Sequence, residues 1–491
     1  MSQEADAAPS RAVALRHFSS FDRCHDVVVV GHGAAGGAAA IEAARAGADT
    51  LVLERMSRGG GTTALSTGLT YLGGGTAIQK ACGFDDSPEN MQRYVTLAAG
   101  RNADPERIRL YCEGSIEHFE WFRSLGVEYK ESFYEDKVTH PLTDDCLLYT
   151  GNELAHPFVE SADPAPRGHK PAREGDAGGY LMECVIQATY DAGGQVLNDC
   201  HALRLVTDDD GRVRGLIARL DGAEIAIEAR RGVILCAGGF VMNKEMLGRH
   251  AREALACNYP LGTIADDGRG ILMGVGAGGN AVNMSECLIL NSWYPPSSHL
   301  KGLLINAQGQ RFINEDAYAG RTTDAVVFRA DGCAFLIVDD EIYAPTQAMH
   351  KIAAVADTLE DLERELEIPE GRLVETVAHY NRHAERGEDP IFHKAPKWMR
   401  PLAAPPYAAL DCRMENSIYA AFTLGGLDVK ASGEVLDADA VVVPGLYAAG
   451  RNCAGLCREG RTYASGLSIG DASFFGRLAG RAAAAHPPAE S

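Results

Sequence analysis

The chain has 491 residues, of which 46% are hydrophobic and 23% are charged, a composition typical of folded globular proteins rather than disordered chains. Its 67 acidic residues outnumber its 46 basic ones, and the net charge is −21. Such a surface repels phosphate backbones and anionic lipid heads, which argues against nucleic acids and membrane surfaces as partners. No stretch reaches the roughly 18 consecutive apolar residues of a transmembrane helix. The 54 glycines are the compositional outlier.

The beginning of the chain carries Glu4 and Asp6 and lacks the apolar run of a secretory signal. We predict a mobile tail over residues 1–21. The 13 cysteines are an odd number at wide spacings, which suits a reducing compartment, and the predicted location is cytoplasmic. No histidine or cysteine pattern has the spacing of metal ligands, so no metal site is predicted.

A nucleotide-binding fingerprint follows this tail. It consists of a strand, a Gly-x-Gly-x-x-Gly turn, a small-residue helix and a second strand, at Val27–Val30, Gly31–Gly36, Ala38–Ala46 and Thr50–Leu53. Gly31 permits the tight turn, Gly33 lets a pyrophosphate approach the backbone, and Gly36 lets the helix pack closely on the strand. Glu54, at the end of the second strand, is suited to bind ribose hydroxyls. The segment predicts a dinucleotide site.

A second Gly-x-Gly-x-x-Gly occurs at residues 274–279. It follows a helical pattern and precedes an extended one, which is the reverse of the nucleotide-binding order. We therefore predict the C-terminal end of a helix there. One fingerprint indicates one tightly held cofactor and no separate nicotinamide domain.

The residues after Glu54 distinguish FAD from NAD. A glycine- and hydroxyl-rich loop, Gly59–Ala64, is followed by Gly73–Gly75. Backbone N–H groups in such loops can reach a flavin and its phosphates, whereas an NAD dehydrogenase usually continues with alternating strands and helices. The pattern favours FAD.

With these residues the chain resembles the flavoprotein subunits of fumarate reductase and succinate dehydrogenase and their ketosteroid dehydrogenase relatives. The similarity runs from about Asp26 to Gly480, and its further landmarks are Val233–Phe240, Asp267–Gly268, Arg311–Glu315, Gly425–Leu427 and Pro444–Arg451. The resemblance implies an α/β fold: a Rossmann-type FAD-binding domain, over 22–285 and 405–485, with an inserted α+β capping domain over 286–404.

The fingerprint and the resemblance together give the predicted cofactor-binding residues. These are Gly31, Gly33, Ala34, Ala35, Gly36, Glu54, Arg55, Gly60, Gly61, Thr62, Thr63, Ala64, Ala237, Gly238, Asp267, Gly450, Arg451, Gly466, Leu467 and Ser468. The loop at 59–66 contains no histidine at the place where the family attaches flavin covalently. The expected cofactor is therefore non-covalent FAD.

Two departures from the fumarate reductase pattern bear on the substrate. Tyr318 stands about where that group has a cap arginine, with Arg321 slightly further on, and Tyr463 replaces a second arginine near the flavin. An arginine binds a carboxylate through two hydrogen bonds, whereas a phenol is suited to bind a ketone oxygen or to accept a proton as the phenolate. The substitutions argue against a dicarboxylate and for a neutral carbonyl compound.

The run Tyr463-Ala464-Ser465-Gly466 most resembles the 3-ketosteroid Δ4-(5α)-dehydrogenases. That resemblance implies Tyr463, Ser465 and the cap residue Tyr318 as catalytic residues. In the implied reaction a Tyr463 phenolate, supported by a hydrogen bond from Ser465, removes a proton from C4, and a hydride leaves C5 for the flavin N5. Arg458 and Arg461 are candidates to stabilise the phenolate, and surface solubility is the alternative role for both.

Three other functions stay open. One is Δ1 rather than Δ4 desaturation, another is reduction of an unsaturated carboxylate using Arg321, Arg458 or Arg461, and the third is a flavoprotein that only binds or senses a ligand. No haem motif and no second nucleotide fold occur in the sequence. The predicted partners are a small hydrophobic ketone and an external electron acceptor.

Overall fold

The structure is a computed structural model, and it describes residues 11–17, 20–345 and 350–488. Most of the predicted N-terminal tail, residues 1–10 with 18 and 19, lies outside these ranges. The prediction of a mobile tail does not hold at residues 13 and 14. These two residues form a short strand that pairs in parallel with a strand of the main sheet, with Val13 opposite Val206 and Ala14 opposite Thr207.

The strands are, in chain order, β1 (Val13–Ala14), β2 (Arg23–Val30), β3 (Thr50–Leu53), β4 (Thr70–Tyr71), β5 (Leu147–Leu148), β6 (Gly168–His169), β7 (Gln195–Leu197), β8 (His201–Thr207), β9 (Val213–Leu220), β10 (Ala223–Leu235), β11 (Tyr259–Pro260), β12 (Ala281–Val282), β13 (Cys287–Leu290), β14 (Leu303–Asn306), β15 (Ala334–Asp339), β16 (Ile352–Ala356), β17 (Tyr407–Asp411), β18 (Ala420–Thr423), β19 (Gly426–Leu427), β20 (Glu434–Leu436) and β21 (Val442–Ala448). The α-helices are α1 (Ala34–Arg45), α2 (Ala77–Ala81), α3 (Pro88–Ala99), α4 (Pro105–Glu113), α5 (Ser115–Ser124), α6 (Gly178–Asp191), α7 (Lys244–His250), α8 (Arg252–Ala256), α9 (Arg269–Gly276), α10 (Ala319–Arg329), α11 (Leu359–Glu365), α12 (Arg372–Ala384) and α13 (Leu467–Ala485).

The main sheet has a parallel core in the order β7-β3-β2-β10-β21, and β10 continues into an antiparallel ladder with β9 and β8. The Val27–Val30 run lies between β10 and β3, and all four of its side chains are buried. A strand covered on both faces by helices and neighbouring layers favours such a continuous β-branched run. The α/β fold class is confirmed.

Helices α1 and α13 pack against each other at unusually short range. A Cβ on Gly476 would lie 2.5 Å from the Ala35 carbonyl oxygen, and a Cβ on Gly480 would lie 2.2 Å from that of Ala39. Only glycine permits this approach, which brings the N-terminal ends of both helices to one edge of the sheet.

The capping region is built on a four-stranded antiparallel sheet in the order β14-β15-β17-β16, with α10, α11 and α12 beside it. Its apolar core includes residues from Phe240 to Ala421. The domain boundary predicted between residues 404 and 405 does not match this sheet. The strand that follows it, β17, was expected to begin the returning FAD-binding part, but it is a central strand of the cap sheet. The Pro405-Pro406 signal marked the start of a strand, and the continuous burial of residues 408–411 does not reveal which sheet that strand joins.

A smaller sheet, β11-β18-β13, lies between the two regions. The second glycine-rich motif is confirmed as a helix end, since α9 finishes at Gly276 and Gly278 has a φ of 101°. The backbone then pairs as β12 with β19, so this motif offers no second nucleotide site.

Candidate active site

One cavity, of about 570 Å³, opens between the FAD-binding region and the small β11-β18-β13 sheet. The β2–α1 turn, the loop at 61–67 and the start of α13 form one side, and β13 and β18 contribute Leu288, Leu290 and Phe422 on the other. Of the predicted catalytic residues, Tyr463 and Ser465 line this cavity, and Tyr318 does not; Tyr318 lies behind the wall, in hydrogen-bond contact with Ser465.

Sixteen of the predicted cofactor-binding residues line this cavity, namely Gly31, Gly33, Ala34, Ala35, Glu54, Arg55, Gly61, Thr62, Thr63, Ala237, Gly238, Asp267, Gly450, Arg451, Gly466 and Ser468. Gly36, Gly60, Ala64 and Leu467 are not part of its wall. Gly36 lies behind it, where a Cβ would meet the Gly31 carbonyl oxygen at 1.8 Å. Gly60 adopts a φ of 133° and its N–H donates to the His32 carbonyl.

The nucleotide end of the cavity is organised by Glu54. Its buried carboxylate accepts the backbone N–H of His32 at 2.9 Å and that of Met56 at 2.8 Å. Burial raises the pKa of this carboxyl, and the backbone hydrogen bonds oppose the rise. The imidazole of His32 points away to Thr189, with Nε2 3.2 Å from its hydroxyl. His32 is therefore a spacer in the turn, as its motif position predicts.

Two helix N-termini face the cavity without a side-chain cap. The N-cap of α1 is Gly33 and that of α13 is Gly466, and neither helix has an acidic residue in its first turn. A Cβ on Gly33 would find only the Gly60 carbonyl oxygen, at 3.9 Å, so the backbone there lies open to the cavity. Free N–H groups at a helix N-terminus suit a pyrophosphate at α1. At α13 the N–H groups of Leu467 and Ser468 already donate to the Ala464 carbonyl and the Tyr463 hydroxyl.

Asp266, a neighbour of the predicted Asp267, holds the loops around the cavity together. It accepts hydrogen bonds from the Thr62 hydroxyl at 2.5 Å and from the Gly239 N–H at 2.9 Å, and it pairs with Arg451 at 2.8 Å. Asp267 pairs with Arg55 at 2.6 Å. The sequence motif of an acid followed by glycine pointed to only the second of these two acids.

Tyr463 is buried at the cavity wall, with 4% of its surface exposed. Its hydroxyl oxygen accepts the backbone N–H of Ser468 at 3.0 Å and lies 2.9 Å from the Ser468 hydroxyl. Burial raises the pKa of this phenol well above its ordinary value, and the neighbouring Cys457 and Tyr318 raise it further. Tyr463 is thus held as a neutral phenol, which suits a hydrogen-bond donor better than the base expected from the sequence.

Ser465 bonds to the cap and not to Tyr463. Its Oγ lies 2.7 Å from the Tyr318 hydroxyl, and the Tyr318 and Tyr463 rings stand 6.5 Å apart. The expected support of Tyr463 by Ser465 is therefore wrong in this structure, because the intervening backbone turns the two side chains toward different partners. Burial raises the pKa of Tyr318 as well, and the bond from Ser465 opposes that rise.

The arginines proposed to stabilise a phenolate have other partners. Arg461 pairs with Glu459 at 2.8 Å, and Arg458 Nε donates to the Gly455 carbonyl at 3.0 Å. Arg321, on α10, lies with its guanidinium 5.8 Å from the centre of the Phe158 ring. None of the three is among the described residues that line the cavity.

The open N-terminal end of α1, the buried Glu54 carboxylate and the uncrowded Gly33 backbone fit FAD. The model for the FAD binding domain matches residues 26–461. The chain belongs to this family. It is an FAD-dependent oxidoreductase, and its cofactor is FAD.

Named relatives of this flavoprotein include steroid and fumarate enzymes. The crystal structure of 3-ketosteroid-Δ4-(5α)-dehydrogenase from Rhodococcus jostii RHA1, in complex with 4-androstene-3,17-dione, is 44% identical, covers 96% of this chain and 99% of its own, and superposes with a TM-score of 0.92. The 3-oxo-5-alpha-steroid 4-dehydrogenase of Comamonas testosteroni is 27% identical and is matched over 87% of this chain and 92% of its own. A cytochrome-type fumarate reductase of Shewanella frigidimarina is also 27% identical, over 94% of this chain and 77% of its own. The predicted resemblance to the fumarate reductase and ketosteroid dehydrogenase flavoproteins is confirmed.

Within the described parts of the flavoprotein, no helix is long and apolar enough to cross a membrane. The same residues contain no group of three or more histidine, cysteine or acidic side chains arranged to hold a metal ion.

Proposed function

We propose that the flavoprotein oxidises a 3-keto-5α-steroid to the corresponding 3-keto-Δ4-steroid. The observation that carries the proposal is the 2.7 Å contact between the Tyr318 and Ser465 hydroxyls beside Tyr463. Two hydroxyls in direct contact can pass a proton from one to the other, and Tyr463 adds a separate phenol. Ser465 and Tyr463 line the cavity just before the start of α13. The similarity to the steroid dehydrogenases of Rhodococcus jostii and Comamonas testosteroni supports the same substrate class.

The roles of these groups follow from their surroundings. A 3-ketone acidifies the hydrogens at C4, and stabilising negative charge on the ketone oxygen increases that acidity. Tyr463 accepts a backbone N–H at its oxygen and donates its own proton to the Ser468 hydroxyl at 2.9 Å. In the proposed complex the ketone oxygen replaces the Ser468 hydroxyl as the acceptor of that proton. Ser465 takes the C4 proton and passes its own to Tyr318 along their hydrogen bond.

The walls near these groups suit an apolar fused-ring substrate. Leu288, Leu290 and Phe422 line the cavity on the cap side, and the Phe422 ring packs edge-on against Tyr463 with centroids 5.7 Å apart. Rigid apolar walls with a few polar groups at one end favour a largely hydrophobic ligand with a single polar anchor.

FAD bound in the cavity supplies the acceptor for the hydride that leaves C5. The protein contribution is to hold C4 toward Ser465 and to exclude water from the reacting carbons. The acceptor that reoxidises the cofactor is proposed to be external to this chain.

Reduction of an unsaturated carboxylate is the competing function. It requires a cation able to bind the carboxylate near the reacting carbons. The candidates Arg321, Arg458 and Arg461 lie outside the cavity wall. Of the three arginines that line it, Arg55 and Arg451 are each paired with an aspartate, and Arg269 is the first residue of α9. These placements favour a ketone.

Anaerobic bleaching of the protein-bound flavin tests the proposal. We expect 5α-androstane-3,17-dione to bleach it and succinate to leave it oxidised. Mass spectrometry and NMR of the product then distinguish a Δ4 from a Δ1 double bond. Bleaching by succinate, or none by the 5α-steroid, would contradict the proposed function, and a Δ1 product would contradict the regiochemistry alone.

A further inference from the structure

We propose that Glu153 is the acceptor that takes up the substrate proton from the Ser465–Tyr318 pair. The inference rests on the proposed function and adds a residue that the sequence motifs do not mark. It also completes the reaction, because a proton delivered to Tyr318 has to leave it before the next turnover.

Glu153 is a buried acid at the end of a tight turn. Only 2% of its surface is exposed. One carboxylate oxygen accepts the Tyr71 hydroxyl at 2.9 Å, and the other accepts the Gly151 N–H at 2.9 Å. Isolated buried carboxylates are rare unless they are well hydrogen-bonded or functional, so the position of this one needs an explanation.

The turn that carries Glu153 also holds the catalytic groups. Asn152 Oδ1 accepts the backbone N–H of Tyr318 at 2.8 Å. Thr150 bonds to Ser465 twice, through its hydroxyl to the Ser465 carbonyl at 2.8 Å and through its carbonyl to the Ser465 N–H at 3.0 Å. Residues 150–153 therefore connect the cap tyrosine and the FAD-side serine, and the carboxylate is fixed relative to both.

After burial and the Ser465 hydrogen bond, the negative charge of Glu153 is the next influence on the Tyr318 phenol, and it raises the pKa of that phenol. The titratable and charged groups around Glu153 come from several elements and are Tyr71, Tyr94, Lys137, Tyr149, Arg167, Tyr294 and Tyr318. Arg167 is already bound by Asp86 through contacts of 2.9 and 2.7 Å. Lys137 donates to the Asp316 carbonyl. Both cations near Glu153 therefore have other partners.

The Glu153 carboxylate can act as an ionised base, which the phenols of Tyr318 and Tyr463 cannot. Burial raises the pKa of Tyr318 and Tyr463 well above neutrality, so neither stays ionised as the final base. Burial also raises the pKa of the Glu153 carboxyl, opposed by its backbone and Tyr71 hydrogen bonds and by Arg167. A carboxylate with a raised pKa is a stronger base than an exposed one and suits proton uptake near neutral pH.

The proton balance of the step is closed. The C4–H bond breaks, and its electron pair forms the C4=C5 double bond as the hydride departs from C5. Ser465 gains the C4 proton and gives its own to Tyr318, which gives its own to the carboxylate, so Glu153 becomes neutral. Among the described residues no direct hydrogen bond joins Tyr318 to Glu153, so the proposed last transfer requires a bridging water.

The first test compares Glu153→Gln with Glu160→Gln, a matched change at an acid whose side chain is 65% exposed. Anaerobic flavin reduction by 5α-androstane-3,17-dione should fall about 100-fold or more in the Glu153 variant. FAD content and steroid affinity should stay native, and the Glu160 variant should match the native rate. The acid limb of the native pH–rate profile should also disappear in Glu153→Gln. A rate within a few-fold of native with an unchanged profile would overturn the inference.

If Glu153→Gln does not fold, a second variant tests the role of Glu153. Tyr71→Phe keeps the carboxylate but removes a hydrogen bond that lowers its pKa. The acid limb should therefore move to higher pH, whereas a purely structural carboxylate would leave it in place and overturn the inference. Failure of the proposed function is seen in the native protein, whose flavin the steroid would not bleach, and that result would overturn both proposals. If only this inference fails, the steroid still bleaches the flavin of the native protein, and the variants do not show the expected changes.

Discussion

The Tyr318 hydroxyl of the cap lies 2.7 Å from the Ser465 Oγ on the FAD side, although 147 positions separate them in the chain. Tyr318 is not among the residues that line the cavity, so the contact joins the cap to the cavity wall through Ser465. In the proposed reaction, proton removal depends on the docking of the cap, because neither residue has the other as a partner unless both regions are in place.

Replacing Tyr318 with phenylalanine should slow flavin reduction by the steroid about 10²–10⁴-fold, since Ser465 then has no group to receive its proton. Stopped-flow measurement under anaerobic conditions checks this. Tyr343→Phe, at a tyrosine that is 40% exposed in the cap, is the control and should behave as native. Native-like reduction by the Tyr318 variant would exclude the relay.

Tyr463→Phe should lower kcat about 10²–10³-fold and raise KM for the ketone, because the variant loses a donor to the ketone oxygen. Steady-state kinetics with an artificial electron acceptor gives both constants. Tyr190→Phe, at an exposed tyrosine, serves as the matched control. An unchanged KM combined with a lost acid limb would instead indicate that Tyr463 is the base.

Two glycines of one motif should respond differently to alanine. In Gly36→Ala the new methyl group would meet the Gly31 carbonyl oxygen at 1.8 Å, so we expect a destabilisation of at least about 1–3 kcal/mol. In Gly33→Ala the nearest atom is 3.9 Å away, and the methyl group instead occupies space facing the cavity. That variant should stay folded but lose FAD. Thermal unfolding and FAD content, measured together, separate these outcomes.

The buried histidine His169 should make the protein sensitive to acid. It lies between Thr76 Oγ1 and the Arg167 carbonyl, at 2.9 and 3.0 Å, and burial lowers its pKa to about 4. Because the unfolded chain binds a proton at about pH 6.5, the free energy of unfolding should fall as the pH drops from there toward 4. Between pH 7 and 5 this one group contributes a loss of about 2 kcal/mol. Chemical denaturation should show a smaller loss of unfolding free energy for His169→Gln than for the native protein. The control His17→Gln, at an exposed histidine, should show the same loss as the native protein.

Acid precipitation should release free FAD into the supernatant, because residues 59–66 contain no histidine for covalent attachment. The absorbance spectrum of the supernatant is the measurement. Yellow colour that stays with the washed precipitate would show a covalent bond.

The sequence by itself determined the cofactor site. The tasks of Gly31, Gly33 and Gly36 are set by the backbone within a few residues, and Glu54 follows at a fixed distance along a regular strand–helix–strand unit. Local spacing therefore carried enough information to identify the family, and most of the cofactor-binding residues that it predicted line the cavity.

Only the tertiary structure decided the partners of the catalytic groups. Tyr463 and Ser465 are two positions apart and seemed to form a pair, yet one bonds to Ser468 and the other to Tyr318. Glu153 carries no motif, and it becomes significant only because its turn touches both the cap and the FAD side. Hydrogen-bond partners across a domain interface depend on how the two surfaces dock, and that geometry is set by packing of the whole core and by no local pattern.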